Sequence, residues 1–257
     1  MKKEESRFAE STLFEGMTSI RAVITAMDSG ISDRRIASVL VDRDKQKSRA
    51  KELGWLRHKA QEHGFSIEPV PAEEIEVLTT GNTHGGLIAR CSARTIPALE
   101  LSAIKPDGFY VMLEGIEDPY NFGYALRSLY ACGADGIVLS PRNWMSAAGV
   151  VCRSSAGASE LLPLYECEPT ASSAYFKEHG YRILCAGIRD SVSSFDCCMK
   201  KPVYLIVGGE KRGISGALLD TADEIVRIDY GRAFGGSLSA ASAASMLGYE
   251  VMRQNRE

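Results

Sequence analysis

Histidine is scarce in this chain, with four copies in 257 residues. Seven cysteines are present, at 91, 132, 152, 167, 185, 197 and 198. Their number is odd and their spacing fits no common zinc pattern, so no metal centre is expected. They read as buried thiols of a reducing compartment. The adjacent Cys197 and Cys198 read as a plain loop pair, with redox activity as the rarer alternative. No apolar run reaches the roughly 18 residues of a membrane helix. The start, Met1-Lys-Lys-Glu-Glu-Ser, is charged and no apolar signal segment follows it. The expectation is a cytoplasmic protein with no membrane partner. A formal net charge of −3 exerts no global pull toward nucleic acid, yet it leaves room for a local basic patch. A phosphate-binding Gly-Lys-Ser/Thr ending and the dinucleotide fingerprint spacing are both missing.

What is there is ordinary globular material, 45% hydrophobic and 25% charged. The length suits one large or two modest domains. Helical patterns over 20–27, around 55–59 and over 72–78 alternate with strand patterns over 37–41, 66–70 and 87–91, which predicts a small α/β domain. Thr95-Ile-Pro-Ala and Lys105-Pro-Asp-Gly108 then break the pattern. The predicted boundary lies between them, dividing the chain into 1–104 and 105–257. Beyond it, strands over 109–114, 136–140, 182–186, 203–207 and 224–228 alternate with helices. The helices cover 120–132, 148–155, a stretch around 175–179, and 237–253. This predicts a mostly parallel sheet with helices on both faces.

Three glycine-bearing segments fall where strands end or helices begin, the places where parallel sheets hold ligands. In Val207-Gly-Gly-Glu-Lys-Arg-Gly-Ile-Ser215, a strand runs into two glycines that let backbone approach a ligand closely. Ser215 is a candidate helix cap. The segment reads equally as a structural strand-to-helix turn. In Asp118-Pro-Tyr-Asn-Phe-Gly-Tyr-Ala-Leu-Arg127, Asp118 or Asn121 is placed to cap a helix. Arg127 sits nearly two turns along it, suited to forked phosphate contacts or to a surface ion pair. The segment 236–245 is built of Gly, Ser, Leu and Ala, allowing close approach of a ligand or of another helix. Val150-Val-Cys-Arg-Ser-Ser-Ala-Gly-Ala158 sets another arginine beside small residues.

In this order and spacing the segments resemble the SpoU/TrmH branch of the SPOUT RNA methyltransferases. Asn121, Gly123 and Arg127 match that family's Asn-x-Gly-x-x-x-Arg motif. Gly208, Glu210, Gly213 and Ser215 match its Gly-Ser-Glu-x-x-Gly-Leu-Ser motif, with Gly209 in place of Ser. Ser237, Leu238, Tyr249 and Glu250 match the third motif and its closing Tyr-Glu. The stretch Arg153-Ser-Ser-Ala-Gly-Ala158 resembles its Arg-x-Ser-x-Gly-Ala segment. The chain departs from the pattern at Ser239, where the family has Asn, at Ala241, where it has Ser, and at Asp229-Tyr230, where Pro-Met is common. Thr83-His-Gly-Gly-Leu-Ile-Ala89 resembles the end of the family's ribosomal-protein-like substrate-binding domain.

The resemblance implies an α/β fold with a deep C-terminal trefoil knot and a smaller N-terminal α/β substrate-binding domain. It implies S-adenosylmethionine (SAM) as cofactor, held by Val207, Gly208, Gly209, Gly213, Ile228, Ser237 and Leu238. Arg127, Asn121, Ser239 and Glu210 are the implied catalytic group, and a homodimer through the C-terminal domain is the implied assembly. The implied activity is methyl transfer to a ribose 2′-hydroxyl of tRNA or rRNA. The alternative is a catalytically impaired RNA-binding or ribosome-associated relative, motivated by Ser239 and Ala241. RNA is expected on a local basic surface. Arg34, Arg35, Arg43, Lys45, Lys47, Arg49, Lys51, Arg57 and Lys59 concentrate charge in the first domain, with Arg142 and Arg153 adding to it.

Overall fold

The structure is a computed structural model that describes residues 12–79, 82–140 and 144–256. It divides into two compact units. The first comprises the described residues up to Thr95 together with Trp144–Leu161; the second comprises those of Ile96–Asn143 and Leu162–Glu257.

The first unit runs β1 (Leu13–Glu15), α1 (Gly16–Ser29), β2 (Ile36–Asp42), α2 (Ala50–His63), β3 (Ser66–Val70), α3 (Ala72–Leu78) and β4 (Leu87–Cys91). Its sheet order is β1-β4-β2-β3, with only the β2/β3 pair parallel. Both α1 and α2 stop at glycines, Gly30 and Gly64, in the left-handed conformation that ends helices cheaply. Pro69 sits in edge strand β3, where a missing amide is tolerated. Phe14, Ile20, Val39 and Leu56 form the core, joined by Ala148 and Cys152 from a short helix over Ala148–Ser154. Phe65 is buried, and Trp55 packs on this core with the Arg21 guanidinium over its ring.

One core member is a correction to the sequence reading. Arg34, expected to contact RNA, is 2% exposed. Its Nε donates to Glu160 Oε2 at 2.9 Å and its Nη1 donates to the Ser92 carbonyl at 2.6 Å. Its guanidinium also lies over the Phe14 ring. Glu160 is fully buried, so this is an internal ion pair and not a nucleic-acid contact.

The second unit holds β5 (Phe109–Glu114), α4 (Pro119–Ala131), β6 (Gly136–Leu139), β7 (Leu164–Glu166), α5 (Pro169–Glu178), β8 (Arg182–Ala186), β9 (Val192–Ser193), β10 (Val203–Gly208), α6 (Gly216–Leu219), β11 (Glu224–Arg227) and α7 (Ala240–Gln254). The strand order is β7-β6-β5-β10-β8-β11-β9, and every pairing between these strands is parallel. β5 and β10 read as continuous apolar runs because helices cover both faces of the sheet. Tyr110, Phe176, Tyr181 and Tyr204 cluster on one side, and Phe176 stacks on Tyr204 at 4.0 Å between ring centroids. The final helix starts at Ala240, later than its pattern suggested, because Ser239 takes an extended N-cap conformation. No helix among the described residues is long and apolar enough to cross a membrane.

The cysteines are free. Burial pushes the thiols of Cys91 and Cys185 up to about 12, and burial plus the neighbouring Glu224 carboxylate does the same to Cys197. At about pH 8 only about one in 10⁴ of such thiols is ionised. Alkylation near that pH is therefore expected to reach exposed Cys198 while Cys91, Cys185 and Cys197 resist until the protein unfolds. Mass spectrometry of the labelled native protein checks this, and early labelling of Cys197 would contradict it.

Candidate active site

The site is built on the C-terminal ends of β8, β10 and β11. There a cavity of about 850 Å³ opens, lined by the turns that follow these strands. Ligand sites of parallel sheets lie at this end, and the volume suits a nucleoside-sized molecule. Val207, Gly208, Gly209, Gly213, Ile228, Ser237 and Leu238 all line it. Ile188 and Arg189 also line it. The sequence reading missed them, although they directly follow the 182–186 strand, where a ligand turn is due.

The turn after β10 requires its glycines. A Cβ on Gly208 would lie 2.4 Å from the Gly213 carbonyl carbon, and one on Gly209 would lie 2.0 Å from the Gly115 oxygen. The Gly209 amide donates to the Glu114 carbonyl at 2.7 Å, and the Gly213 amide donates to the Gly209 carbonyl at 2.9 Å. The loop thus folds onto itself and onto the end of β5. Gly209→Ser, which would restore the resembled motif, is expected to destabilise the protein by about 1–3 kcal/mol through overpacking. A denaturant midpoint equal to that of the wild type would sink this expectation.

Ser215 occupies the N-cap position of α6 but does not cap it. Its hydroxyl donates to Glu114 Oε1 and its amide donates to Glu114 Oε2, both at 3.1 Å. A carboxylate across the sheet offers a stronger acceptor than the serine's own helix offers donors. Asp118, by contrast, does cap α4. It accepts from the amides of Tyr120 and Asn121, with Pro119 in the first helical position.

Glu210 draws the three motif segments together. Its Oε1 accepts from Asn121 Nδ2 at 3.1 Å and from the Ala240 amide at 2.9 Å. The second bond places a carboxylate at the amino end of α7, where the helix dipole favours it. Ser239 caps the same helix through Ser242, and their hydroxyls lie 3.0 Å apart. The hydroxyl missing at Ala241 is therefore present one residue later. Asp229 accepts from Ser193 and from Arg227, and these bonds hold its carboxyl below the ordinary range. Tyr230 accepts the Leu238 amide at 3.3 Å.

Arg127 stands apart from this group. It is exposed on α4, without an ion pair or hydrogen bond among the described residues, and does not line the cavity. Tyr120, Tyr124 and Arg127 share one face by their i, i+4, i+7 spacing. Arg153 is engaged within the first unit, where its Nη1 meets Glu15 Oε2 at 2.6 Å. Arg142 lies outside the described residues. Arg35, Arg43, Lys45 and Lys47 are exposed, and Lys45 pairs with Asp42 at 3.2 Å. Arg49 pairs with Glu52 and Lys59 with Asp28 and Glu62. The exposed basic surface of the first unit is thus partly neutralised.

A sequence model described as the SpoU rRNA Methylase family matches residues 108–249. A 23S rRNA (guanosine-2′-O-)-methyltransferase of Shewanella oneidensis is 27% identical over 206 residues, covering 78% of this chain and 83% of that one. A solved RNA 2′-O ribose methyltransferase superposes with a TM-score of 0.76 at 22% identity, covering 99% of this chain and 92% of its own. The SpoU methyltransferase AviRb of Streptomyces viridochromogenes, solved with AdoMet, gives 0.76 at 21% identity, covering 99% and 93%. At these identities the two structures establish the fold alone.

Proposed function

Because this chain belongs to the SpoU rRNA Methylase family, we propose that it transfers a methyl group from SAM to a ribose 2′-hydroxyl of tRNA or rRNA. The observation that carries the proposal is the double acceptance by Glu210, which joins Asn121 and the start of α7 beside one cavity. The cavity suits SAM in size and in its mix of main-chain amides and apolar side chains. Val207, Gly208, Gly209, Gly213, Ile228, Ser237 and Leu238 would hold it. When bound, SAM supplies a methyl already activated on a sulfonium, so the protein chiefly orients the reactants.

Asn121 and Glu210 keep the cavity wall in place against α7. The guanidinium of Arg127 offers hydrogen-bond donors and no acceptor. Its role is to donate to the 2′-oxygen as negative charge develops there. In this reading residues 1–104 bind RNA through Arg35, Arg43, Lys45 and Lys47, and residues 105–257 form the methyltransferase domain.

The same reading includes a homodimer. Tyr120, Tyr124, Met246 and Tyr249 are 37–57% exposed on α4 and α7, an apolar area of the kind that subunits cover. α4 and α7 themselves pack together, with Ser245 Oγ donating to Ser128 Oγ at 2.7 Å and Gly248 facing Leu129. In such a dimer the Arg127 of one protomer serves the cavity of the other. A deep trefoil knot in the C-terminal part is an exception to the usual topology rules. It rests on the chain's membership of the family.

The test is incubation with methyl-labelled SAM and RNA lacking its native modifications, followed by digestion to nucleosides. Label in a 2′-O-methyl nucleoside is the expected result. SAM binding without label on any RNA would overturn the enzymatic reading and favour a non-catalytic RNA-binding relative.

A further inference from the structure

The rim of the cavity carries residues that holding SAM does not require. Phe234 is 61% exposed and Ile188 is 74% exposed, yet both line the cavity. The Phe234 ring is seated. A Cβ on Gly236 would lie 2.6 Å from its Cζ, so one side of the ring rests on the Gly236 backbone. Tyr230 lies beside it at 5.9 Å between centroids, fixed in turn by the Leu238 amide. A large apolar ring is thus fixed at a cavity mouth with a broad part of its surface toward water.

Charge accompanies it. Arg189 and Arg212 line the cavity, and Arg232 lies two residues before Phe234. All three are exposed, and none has an ion pair or hydrogen bond among the described residues. Elsewhere many of the basic side chains are answered by carboxylates, as Lys105 is by Asp135 and Arg182 by Glu224. The chain as a whole is negative, at −3. Two exposed arginines thus line the same cavity as an exposed aromatic ring, and a third lies two residues from that ring in the chain. Phosphates complement the arginines and a base complements the ring.

From this we infer that the Phe234 ring is a stacking platform for an unpaired RNA base at the mouth of the cavity, with Arg189, Arg212 and Arg232 holding the phosphates around it. The inference rests on the methyltransferase reading for its choice of RNA, and it names the substrate form as single-stranded. Double-stranded RNA keeps its bases stacked on each other, out of reach of the ring. Phe234 is a positioning residue here: it holds the strand and leaves the reacting atoms to others.

The test is equilibrium binding of a fluorescent single-stranded RNA of roughly 12 nucleotides and of the same strand in a duplex, alongside a SAM titration. Phe234→Ala is expected to weaken the single strand by about 5- to 150-fold, the range of one lost base stack. Phe234→Trp is expected to restore binding, and SAM affinity is expected to hold in both variants. Each of Arg189→Gln and Arg232→Gln is expected to lower the slope of log affinity against log salt by about 0.7. Unchanged binding by Phe234→Ala would overturn the inference. So would a parallel loss of SAM affinity, which would make the ring a cover for the cofactor, or duplex binding as tight as that of the single strand. Binding needs no turnover. If no RNA is methylated but the single strand still depends on Phe234, the enzymatic reading fails and this inference stands.

Discussion

Arg127→Ala is expected to lower kcat about 10²–10³-fold while SAM affinity stays near that of the wild type. The size follows from losing one donor aimed at developing charge in a water-poor site. SAM affinity is spared because Arg127 does not line the cavity. Arg127→Lys keeps the charge but loses the planar fork, so only partial recovery is expected. Single-turnover kinetics with saturating RNA separates this from weakened RNA binding. If sites are shared between protomers, mixing inactive Arg127→Ala with inactive Glu210→Ala creates mixed dimers in which one site has both residues intact. Activity regained on mixing is the expected result. Failure to regain it, with exchange of subunits demonstrated, would place Arg127 and Glu210 in one protomer. Retention of most of kcat by Arg127→Ala would remove the residue from the chemistry.

Arg34→Ala is expected to destabilise the first unit by about 3–5 kcal/mol, the usual cost of stranding a buried charge. Truncation leaves Glu160 fully buried without its counter-ion and empties the space over Phe14. The double replacement Arg34→Met with Glu160→Leu removes both charges together and is expected to recover most of the loss. Urea unfolding followed by tryptophan fluorescence measures both. Trp55 and Trp144 are the only tryptophans, and both belong to the first unit, so the signal reports on that unit alone. An Arg34→Ala protein as stable as the wild type would mean that water reaches Glu160.

Strands β3, β4, β5 and β8 fall on the residues their apolar patterns predicted. The short strands β1, β7 and β9, two or three residues each, escaped notice because so few residues carry no period. Seven glycine-turn and motif residues predicted to hold a cofactor line one cavity. Their turns follow strand ends, and strand ends are visible locally. Arg34 was misread because a basic residue in a polar stretch looks solvated until its partner is known. That partner is 126 residues away.

By itself, then, the sequence determined the alternation of elements, the turns that need glycine, and the motif set that marks the family. These depend on backbone conformation and on side-chain periods within a few residues. Only the tertiary structure decided which charges meet. Glu210 reaches Asn121 across 89 positions, Ser215 answers Glu114 across 101, and Arg34 is drawn into the core by Glu160. Such pairings are set by which strands become neighbours, and burial then makes each of them costly to leave unmade.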